Sequence, residues 1–333
     1  MPATPPLITV LGAGLIGCWL GGRMTEGGAR VRLIGRDRFG NAISEHGLTL
    51  GATDRAPVVL RDVDFRTDPD ALAGSDVVAL CTKSGDTAEA AELINRHAPD
   101  AHVVSFQNGI GNLPVLDARG LRLSGAVVPF NVTSPAPGHF HRGTSGDLVI
   151  GPDAPQAMLD ALRSAGVGVR VVDDVRGYLW AKLLVNLNNA LNTLWGGALR
   201  DGLLQRGYRR VLIAMIKEGL AVARAEGVEV ATFNGRSPDA MIRLMGLPDW
   251  LYRIAMDRVA RIDPTARSSM LDDLELGRAA ELDHLQGEIV RRGERAGVPT
   301  PVNRAVMAAV QEAFSIRKTP RLSGAQMQAM FLK

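Results

Sequence analysis

The chain has 333 residues, 46% of them hydrophobic and 22% charged, a composition typical of a globular protein with a sizeable core and most readily two domains. The formal net charge is only +3 and no long run of lysine and arginine occurs, which argues against a nucleic-acid-binding surface. The two cysteines, Cys18 and Cys81, are too few for a disulfide framework and lie in apolar runs, which predicts reduced, buried thiols in a cytoplasmic protein.

The first half of the chain alternates β-type runs with helical patterns. Predicted strands cover residues 7–11, 29–34, 76–81 and 102–106, and predicted helices end near residues 26 and 97. This alternation predicts a parallel, doubly wound sheet. Glycines, prolines and β-branched residues dominate residues 121–151 and favour antiparallel strands there. A helix over 155–164 and a strand over 168–172 complete the predicted domain.

After about residue 174 the strand patterns stop and long helical patterns take over. The predicted helices cover residues 178–195, 205–226, 238–245 and 274–296. Gly297, followed by Pro299 and Pro301, is typical of a helix end. The sequence therefore predicts an α/β chain with a Rossmann-type doubly wound domain over residues 1–174 and an all-helical domain over residues 175–333. Residues 231–265 match no motif.

A glycine-rich loop follows the first predicted strand. It fits the pattern G-x-G-x-x-G and opens a helix, a context that makes the pattern a specific signal for dinucleotide binding rather than an ordinary glycine turn. Such glycines allow a tight turn and close approach of the pyrophosphate, while free N–H groups at the helix start face the phosphates. The predicted cofactor-binding residues of this loop are Gly12, Ala13, Gly14, Leu15, Ile16 and Gly17.

The end of the second predicted strand indicates which dinucleotide binds. Enzymes that use NAD usually carry Asp or Glu there, which binds the ribose 2′-hydroxyl, whereas this chain carries Arg36. A guanidinium at this position suits a 2′-phosphate, and Arg38 can assist it. The sequence therefore favours NADPH. In the alternative interpretation Arg36 is a solvated loop residue and Asp37 takes the acidic role.

One predicted helix carries a polar stripe on an otherwise apolar surface. From residue 181 to residue 199 the only charged residue is Lys182, and at 3.6 residues per turn the stripe consists of Lys182, Asn186, Asn189 and Thr193. A stripe of this kind often faces solvent, but asparagine is a poor helix former, so the composition favours the lining of a wet cleft. A lysine in a cleft suits the role of a general acid, because burial brings its pKa towards neutral pH.

Residues 268–273, Ser-Ser-Met-Leu-Asp-Asp, have the pattern of a helix start, with Ser269 and Asp272 as a capping pair. The helix is predicted to continue past Glu281. Judged by themselves, Ser269 is an N-cap and Glu281 is a surface carboxylate. No metal site is predicted, because two metal-like pairs lack further ligands: His139 with His141, and Glu281 with His284.

Taken together and in this order, the segments resemble the ketopantoate reductase family (2-dehydropantoate 2-reductases) over nearly the whole chain. The motifs that carry the resemblance, besides the glycine loop, are CTKSGDT around Lys83, QNGIG from Gln107, WAKLLVN from Trp180, SSMLDD from Ser268, AELD from Ala280 and GVPTP ending at Pro301. The resemblance implies a Rossmann domain followed by a helical domain, with the active site in the cleft between them. It also implies an oxidoreductase that reduces ketopantoate to pantoate, in pantothenate biosynthesis, with NADPH.

The resemblance further implies a role for each matching position. Arg36 would hold the 2′-phosphate, and Lys83 and Asn108 would lie along the cofactor. Lys182 would be the general acid that protonates the ketone oxygen of the substrate while NADPH supplies the hydride. Asn186 would hold the substrate, and Ser269 would bind its carboxylate. Glu281, the second catalytic residue, would contact the substrate's hydroxyl and help order the site.

The chain also departs from the family pattern. Ala190 and Ala266 stand where the family commonly has substrate-binding asparagines, and Ala280 stands where a threonine is usual. Asn189 would replace the first asparagine as a substrate-binding residue only if the helix shifts locally. Reductase chemistry is therefore better supported than ketopantoate as the substrate.

Two alternatives accompany ketopantoate reduction. The first is the same chemistry on another 2-oxo acid or ketone, which the altered asparagines favour. The second is a non-catalytic NADP(H)-sensing protein, but a sensor has no use for the lysine and glutamate that this chain retains at 182 and 281. The expected partner is a small-molecule 2-oxo acid, with no nucleic acid or membrane, and the helical domain has enough apolar surface to support a homodimer.

Overall fold

The computed structural model describes residues 4–232, 235–259 and 266–332. The chain divides into two compact units, Met1–Val175 and Arg176–Lys333, and the sequence placed its domain boundary near residue 174. The first unit contains an α/β sheet and the second is built of helices. This confirms the predicted fold class, a Rossmann-type domain followed by a helical domain.

The first unit alternates strands with helices. Its strands are β1 (Leu7–Leu11), β2 (Arg30–Ile34), β3 (Leu48–Ala52), β4 (Arg55–Leu60), β5 (Asp64–Arg66), β6 (Val77–Leu80), β7 (His102–Ser105), β8 (Leu123–Val127), β9 (Val132–Ala136), β10 (His139–Arg142), β11 (Leu148–Ile150) and β12 (Val169–Val171). Its helices are α1 (Leu15–Glu26), α2 (Asp37–His46), α3 (Thr87–His97), α4 (Asn112–Asp117) and α5 (Gln156–Ser164).

The main sheet has eight strands in the order β12-β11-β8-β7-β6-β1-β2-β5. β1 pairs in parallel with β2 on one side and with β6 on the other, and β6 pairs in parallel with β7. From β1 the sheet thus extends first through β2 to β5, and later on the other side through β6 towards β12. In a doubly wound sheet the carboxyl end of the strand where the order reverses is the usual position of a ligand crevice.

The remaining four strands form a second sheet in the order β4-β3-β10-β9. The sequence did not predict β3 and β4. The prediction of antiparallel strands over 121–151 was right for β9 with β10 and for β8 with β11, although β8 also pairs in parallel with β7 on its other side. The spacing of apolar residues indicates that a strand forms, but its partner and direction follow from the path of the whole chain.

Both faces of the main sheet are covered, and β6 shows this most directly. Val77 and Ala79 belong to an apolar cluster that includes α1 and the second sheet, whereas Val78 and Leu80 belong to a cluster that includes α3. A strand covered on both faces reads as a continuous apolar run, which is why β6 was recognisable in the sequence.

The second unit is helical. Its helices are α6 (Arg176–Asn186), α7 (Asn188–Trp195), α8 (Leu199–Leu204), α9 (Arg206–Ala225), α10 (Pro238–Met245), α11 (Asp249–Val259), α12 (Ser269–Glu275), α13 (Gln286–Ala296), α14 (Pro301–Ser315) and α15 (Gly324–Phe331). α9 and α10 match their predicted bounds closely. The single helix predicted over 178–195 is instead two helices, α6 and α7, which are interrupted at Leu187.

The long helix predicted over 274–296 was also wrong. α12 ends at Glu275, and Gly277 then adopts a φ of +63°, a conformation that ends a helix and that glycine adopts at little cost. A short 3-10 turn, Leu282–His284, precedes α13. The cap of α12 is Ser268 rather than Ser269, because the Ser268 hydroxyl oxygen accepts a hydrogen bond from the Leu271 N–H at 3.2 Å.

The segment in which the sequence showed no motif, residues 231–265, contains α10 and α11. The fully buried Arg209, on α9, holds the link between α10 and α11 in place. Its guanidinium donates hydrogen bonds to the backbone oxygens of Leu203, Met245 and Leu247 and to the carboxylate of Asp249. A buried arginine with five donors can join several chain segments at once, which fixes α8, α10 and α11 around α9.

Two predictions, one about the cysteines and one about membrane-spanning helices, bear on function. Cys18 and Cys81 are free cysteines, and burial raises the pKa of both thiols, that of Cys81 to about 12, so neither is a nucleophile at neutral pH. Within the described ranges, no helix is long and apolar enough to cross a membrane. The apolar stretch near residues 179–199 is divided between α6 and α7.

Candidate active site

The glycine loop joins β1 to α1 and needs a glycine at two positions. Gly12 has a φ of +96°, and a Cβ there would lie 2.5 Å from the backbone nitrogen of Thr82. A Cβ on Gly17 would collide with the carbonyl oxygen of Gly12. A Cβ on Gly14, in contrast, would meet only the Gly12 oxygen, at 4.0 Å. The loop is therefore tightly packed at Gly12 and Gly17 and open at Gly14, where the start of α1 presents its N–H groups.

The loop also fixes the end of β2. The backbone nitrogens of Gly12 and Ala13 both donate to the Ile34 oxygen, at 3.0 and 2.8 Å. Arg36 follows two residues later, is exposed, and is the N-cap residue of α2. Asp37, the alternative partner for a ribose hydroxyl, is also exposed and opens α2. The structure thus brings a guanidinium-bearing residue beside the glycine loop.

Lys83 and Asn108 lie in the two loops that follow β6 and β7. Both side chains are exposed, and both loops leave the same carboxyl edge of the sheet as the glycine loop. The backbone oxygen of Asn108 accepts hydrogen bonds from the Ser84 hydroxyl at 2.8 Å and from the Asn112 amide at 2.6 Å. These bonds join the Asn108 loop to the Lys83 loop.

Gln107 is the centre of this junction. It is 6% exposed, and its side-chain nitrogen lies 2.9 Å from the Thr87 hydroxyl and 3.1 Å from the Thr82 hydroxyl. Its side-chain oxygen accepts a hydrogen bond from Ser105 at 3.1 Å. The buried Gln107 amide therefore joins Thr82 and Thr87, which lie on either side of Lys83, and Gln107 itself directly precedes Asn108. It thus sets the spacing of the exposed Lys83 and Asn108 side chains.

The second unit carries the other predicted site residues. Lys182 lies on α6 and is half-buried, and burial lowers the pKa of its ammonium to about 8. Asn186, one turn later, is 9% exposed, and Thr193, on α7, is fully buried. The polar stripe therefore does not face solvent, and the solvent-facing interpretation of it was wrong. A lysine with this pKa exchanges a proton readily near neutral pH.

Asn189 and Ser269 are brought into one neighbourhood. The Ser268 hydroxyl donates to the Asn189 backbone oxygen at 3.3 Å, and the Ser268 N–H donates to the side-chain oxygen of Asn192 at 2.9 Å. Asn192 is fully buried, and its amide also donates to the Gly197 oxygen at 2.8 Å. Asn192 thus holds the start of α12 against α7, and Ser269, the residue after Ser268, is exposed.

Glu281 lies at the end of the irregular segment between α12 and α13, directly before the 3-10 turn, and is half-buried. Five residues further on, the fully buried Gln286 donates its amide hydrogen to the Leu187 oxygen at 3.2 Å. The start of α13 is therefore fixed to the point where α6 gives way to α7. In the part of the chain that the structure describes, no three His, Cys, Asp or Glu side chains are grouped so as to hold a metal ion.

Sequence reasoning missed the residues that hold the site together. They are buried amides and hydroxyls, namely Ser84, Thr87, Gln107, Asn112, Asn192 and Gln286. Each is an ordinary polar residue in the sequence. The signal that could have found Gln107 is its position beside Asn108 in the QNGIG motif, in a loop that follows a predicted strand.

Two family models together match most of the chain. Residues 8–155 match the model described as ketopantoate reductase PanE/ApbA, and residues 174–313 match its C-terminal model. The 2-dehydropantoate 2-reductase of Halobacterium salinarum is 31% identical over 90% of this chain and 96% of its own length.

Solved structures give the same result. The PanE/ApbA family ketopantoate reductase of Ralstonia eutropha is 35% identical, with a TM-score of 0.76, and covers 93% of this chain and 99% of its own. A D-mandelate dehydrogenase whose structure contains NADH and anilino(oxo)acetate shares the fold, with a TM-score of 0.76 at 20% identity, over 93% of this chain and 99% of its own.

Proposed function

The chain belongs to the ketopantoate reductase family, and we propose that it reduces the 2-keto group of ketopantoate to give pantoate, with NADPH as the reductant and Lys182 as the proton donor. Membership of this family makes the chain an oxidoreductase that acts on a CH–OH group and uses a nicotinamide cofactor. The observation that carries the proposal is the half-buried Lys182, whose pKa of about 8 suits proton transfer near neutral pH.

The residues of the first unit fit a nicotinamide dinucleotide phosphate. The space in front of Gly14 admits a pyrophosphate against the start of α1, and no carboxylate stands at the end of β2. Arg36, exposed beside the loop, supplies a cation for a 2′-phosphate. Lys83 and Asn108 would lie along the rest of the cofactor.

Reduction of a ketone places negative charge on its oxygen while the carbonyl carbon is attacked. When bound, the reduced nicotinamide supplies the hydride to that carbon. Lys182 donates its ammonium proton to the oxygen, and before transfer its positive charge stabilises the developing alkoxide. The product is the 2-hydroxy acid, and the neutral amine left on Lys182 regains its proton from water.

The second unit would also hold the substrate. Asn186 and Asn189 carry amides on the α6–α7 stripe, and Ser269, which follows the residue bonded to Asn189, would bind the substrate carboxylate. Glu281 would accept a hydrogen bond from the substrate hydroxyl. These assignments rest on the family pattern together with the neighbourhood of α7 and α12.

One observation favours a second candidate substrate class. Ala190, at the position where the family commonly has a substrate-binding asparagine, is fully buried and carries no polar group. Recognition of the substrate beyond its 2-oxo acid group would therefore differ from the family pattern. The second candidate is the same reduction applied to a 2-oxo acid other than ketopantoate.

An assay of NADPH oxidation distinguishes the two candidates. The purified chain is supplied with ketopantoate and, separately, with a panel of 2-oxo acids, and kcat/KM is measured for each. We expect the largest kcat/KM with ketopantoate. A much larger value with another 2-oxo acid would select the second candidate, and no oxidation with any of them would refute both.

The hypothesis of a homodimer stays a prediction. Light scattering on the purified chain over a range of concentrations measures its mass directly. A mass of one chain at every concentration would rule the dimer out.

A further inference from the structure

The interruption between α6 and α7 lies within the polar stripe. Leu187 keeps near-helical angles, with φ of −57° and ψ of −27°, and its N–H still donates to the Leu183 oxygen at 3.1 Å. Its own carbonyl oxygen, however, accepts the hydrogen bond from the Gln286 side chain. Helices bend or break where a side chain takes a bond of the backbone ladder. Gln286 is therefore a physical cause of the interruption.

A second buried side chain holds the next residue. The Tyr208 hydroxyl, on α9, donates to the side-chain oxygen of Asn188 at 2.6 Å and lies 3.4 Å from the Asn188 backbone oxygen. Tyr208 and Gln286 are both fully buried. Two different helices, α9 and α13, thus fix the two residues at which α6 gives way to α7.

The position of this junction separates the proposed catalytic group from a proposed substrate contact. Lys182 precedes it and Asn189 follows it, so the distance and angle between their side chains depend on the junction. After the junction Ala190 is fully buried, while Asn189 is only half-buried. Asn189 would replace the missing asparagine only through a local shift of the helix. The α6–α7 junction, which buried side chains hold in place, lies at the position where such a shift is needed.

We propose that Gln286 and Tyr208 are positioning residues, which hold the α6–α7 junction so that Asn189 contacts the substrate while Lys182 protonates it. This inference rests on the proposed function, because it assumes that both side chains face the substrate. Neither positioning residue need touch the substrate. Gln286 acts through the backbone of Leu187, and Tyr208 acts mainly through the side chain of Asn188. A displacement of the junction by about 1 Å is enough to lower the rate substantially.

The test compares two variants with a matched control. Tyr208→Phe removes one hydroxyl, and Gln286→Met removes the amide while keeping an unbranched chain. The control is Asn303→Leu, because Asn303 is also a fully buried amide of the second unit, but it bonds the Met215 oxygen and Glu218, both on α9. All three variants lose buried hydrogen bonds and are expected to melt at lower temperature than the wild type.

The kinetic outcome separates positioning from stability. The substrate is the 2-oxo acid with the largest kcat/KM in the wild type. In both junction variants we expect its KM to rise about tenfold and the KM for NADPH to change less than about twofold. In the control we expect neither KM to change. Combining Tyr208→Phe with Asn189→Ala should give no further rise in KM beyond that of Asn189→Ala alone, because both changes remove the same contact. Additive effects, or equal effects in the control, would overturn the inference.

A structural readout keeps this inference separate from the proposed function. If the wild type reduces no 2-oxo acid, the proposed function fails, and the inference fails with it as a statement about catalysis. If the wild type is active, a crystal structure of Tyr208→Phe decides how the junction is held. We expect a changed angle between α6 and α7, and an unchanged junction would overturn the inference while leaving the proposed function intact.

Discussion

The two units place the cations of the proposed site in opposite ways. At the edge of the main sheet, Arg36 and Lys83 are exposed, and the backbone around Lys83 is held by a neutral network centred on Gln107. On α6, Lys182 is half-buried within a largely apolar stretch of the helix, and its pKa is lowered to about 8.

The difference matches two chemical tasks. Binding of an anionic cofactor needs cations that stay charged, which solvent exposure favours. Proton transfer to a ketone needs an acid whose pKa lies near the working pH, and only desolvation or a neighbouring charge brings a lysine there. We expect variants of the first region to change cofactor affinity and variants of the second to change turnover.

The largest effect is expected for Lys182→Ala. Loss of the proton donor should lower kcat on the order of a hundredfold or more, while the Kd for NADPH stays near the wild-type value. Steady-state kinetics and a fluorescence titration of NADPH measure the two quantities. Lys217→Ala, at an exposed lysine of α9, is the control and should match the wild type. Unchanged turnover in Lys182→Ala would remove Lys182 as the acid.

A smaller effect, confined to one cofactor, is expected for Arg36→Gln. Loss of the guanidinium should raise the KM for NADPH by about ten- to fiftyfold and leave the KM for NADH unchanged, because only NADPH carries the 2′-phosphate. Arg30→Gln, at the exposed opposite end of β2, is the matched control. Equal effects of Arg36→Gln on both cofactors would mean that Arg36 does not read the phosphate.

Gln107→Leu tests the network of the first unit. It removes the buried amide between the Lys83 and Asn108 loops, and we expect the Kd for NADPH to rise about five- to tenfold with kcat changed less. The control is Thr9→Val, which removes a buried hydroxyl that lies 2.6 Å from Ser75 elsewhere in the same unit. If both variants lose thermal stability but neither changes the Kd, Gln107 is structural only.

The smallest effect is expected from pH alone. A proton donor with a pKa of about 8 is fully protonated well below pH 8 and half-protonated at that pH. Hence kcat/KM for reduction should be level at lower pH, about twofold reduced at pH 8, and then fall about tenfold per pH unit. Oxidation of the 2-hydroxy acid needs the neutral amine and should rise over the same range. A profile for reduction that stays level to pH 10 would contradict the assignment of Lys182.

Local signals identified much of the fold. The glycine loop, the strands that are buried on both faces and helix α10 were all recognisable, because each is set by periodicity or by residues adjacent in the chain. Gly277 marked the end of α12 in the sequence. The helical periodicity of the residues on either side nevertheless led to the prediction of one long helix. The interruption at Leu187 carried none, because no proline or glycine marks it, and the side chain responsible lies 99 residues further along the chain.

The sequence by itself determined which chemical groups this protein has and on which elements they lie: a glycine loop after the first strand, Arg36 after the second, and Lys182 on an apolar helix. Their roles stay predictions. Only the tertiary structure decided that Gln107 and Gln286 are buried at the junctions of loops and helices, and that Lys182 is desolvated enough to lower its pKa. The physical reason is that burial depends on which distant segments pack against a residue, whereas its neighbours in the chain leave that open.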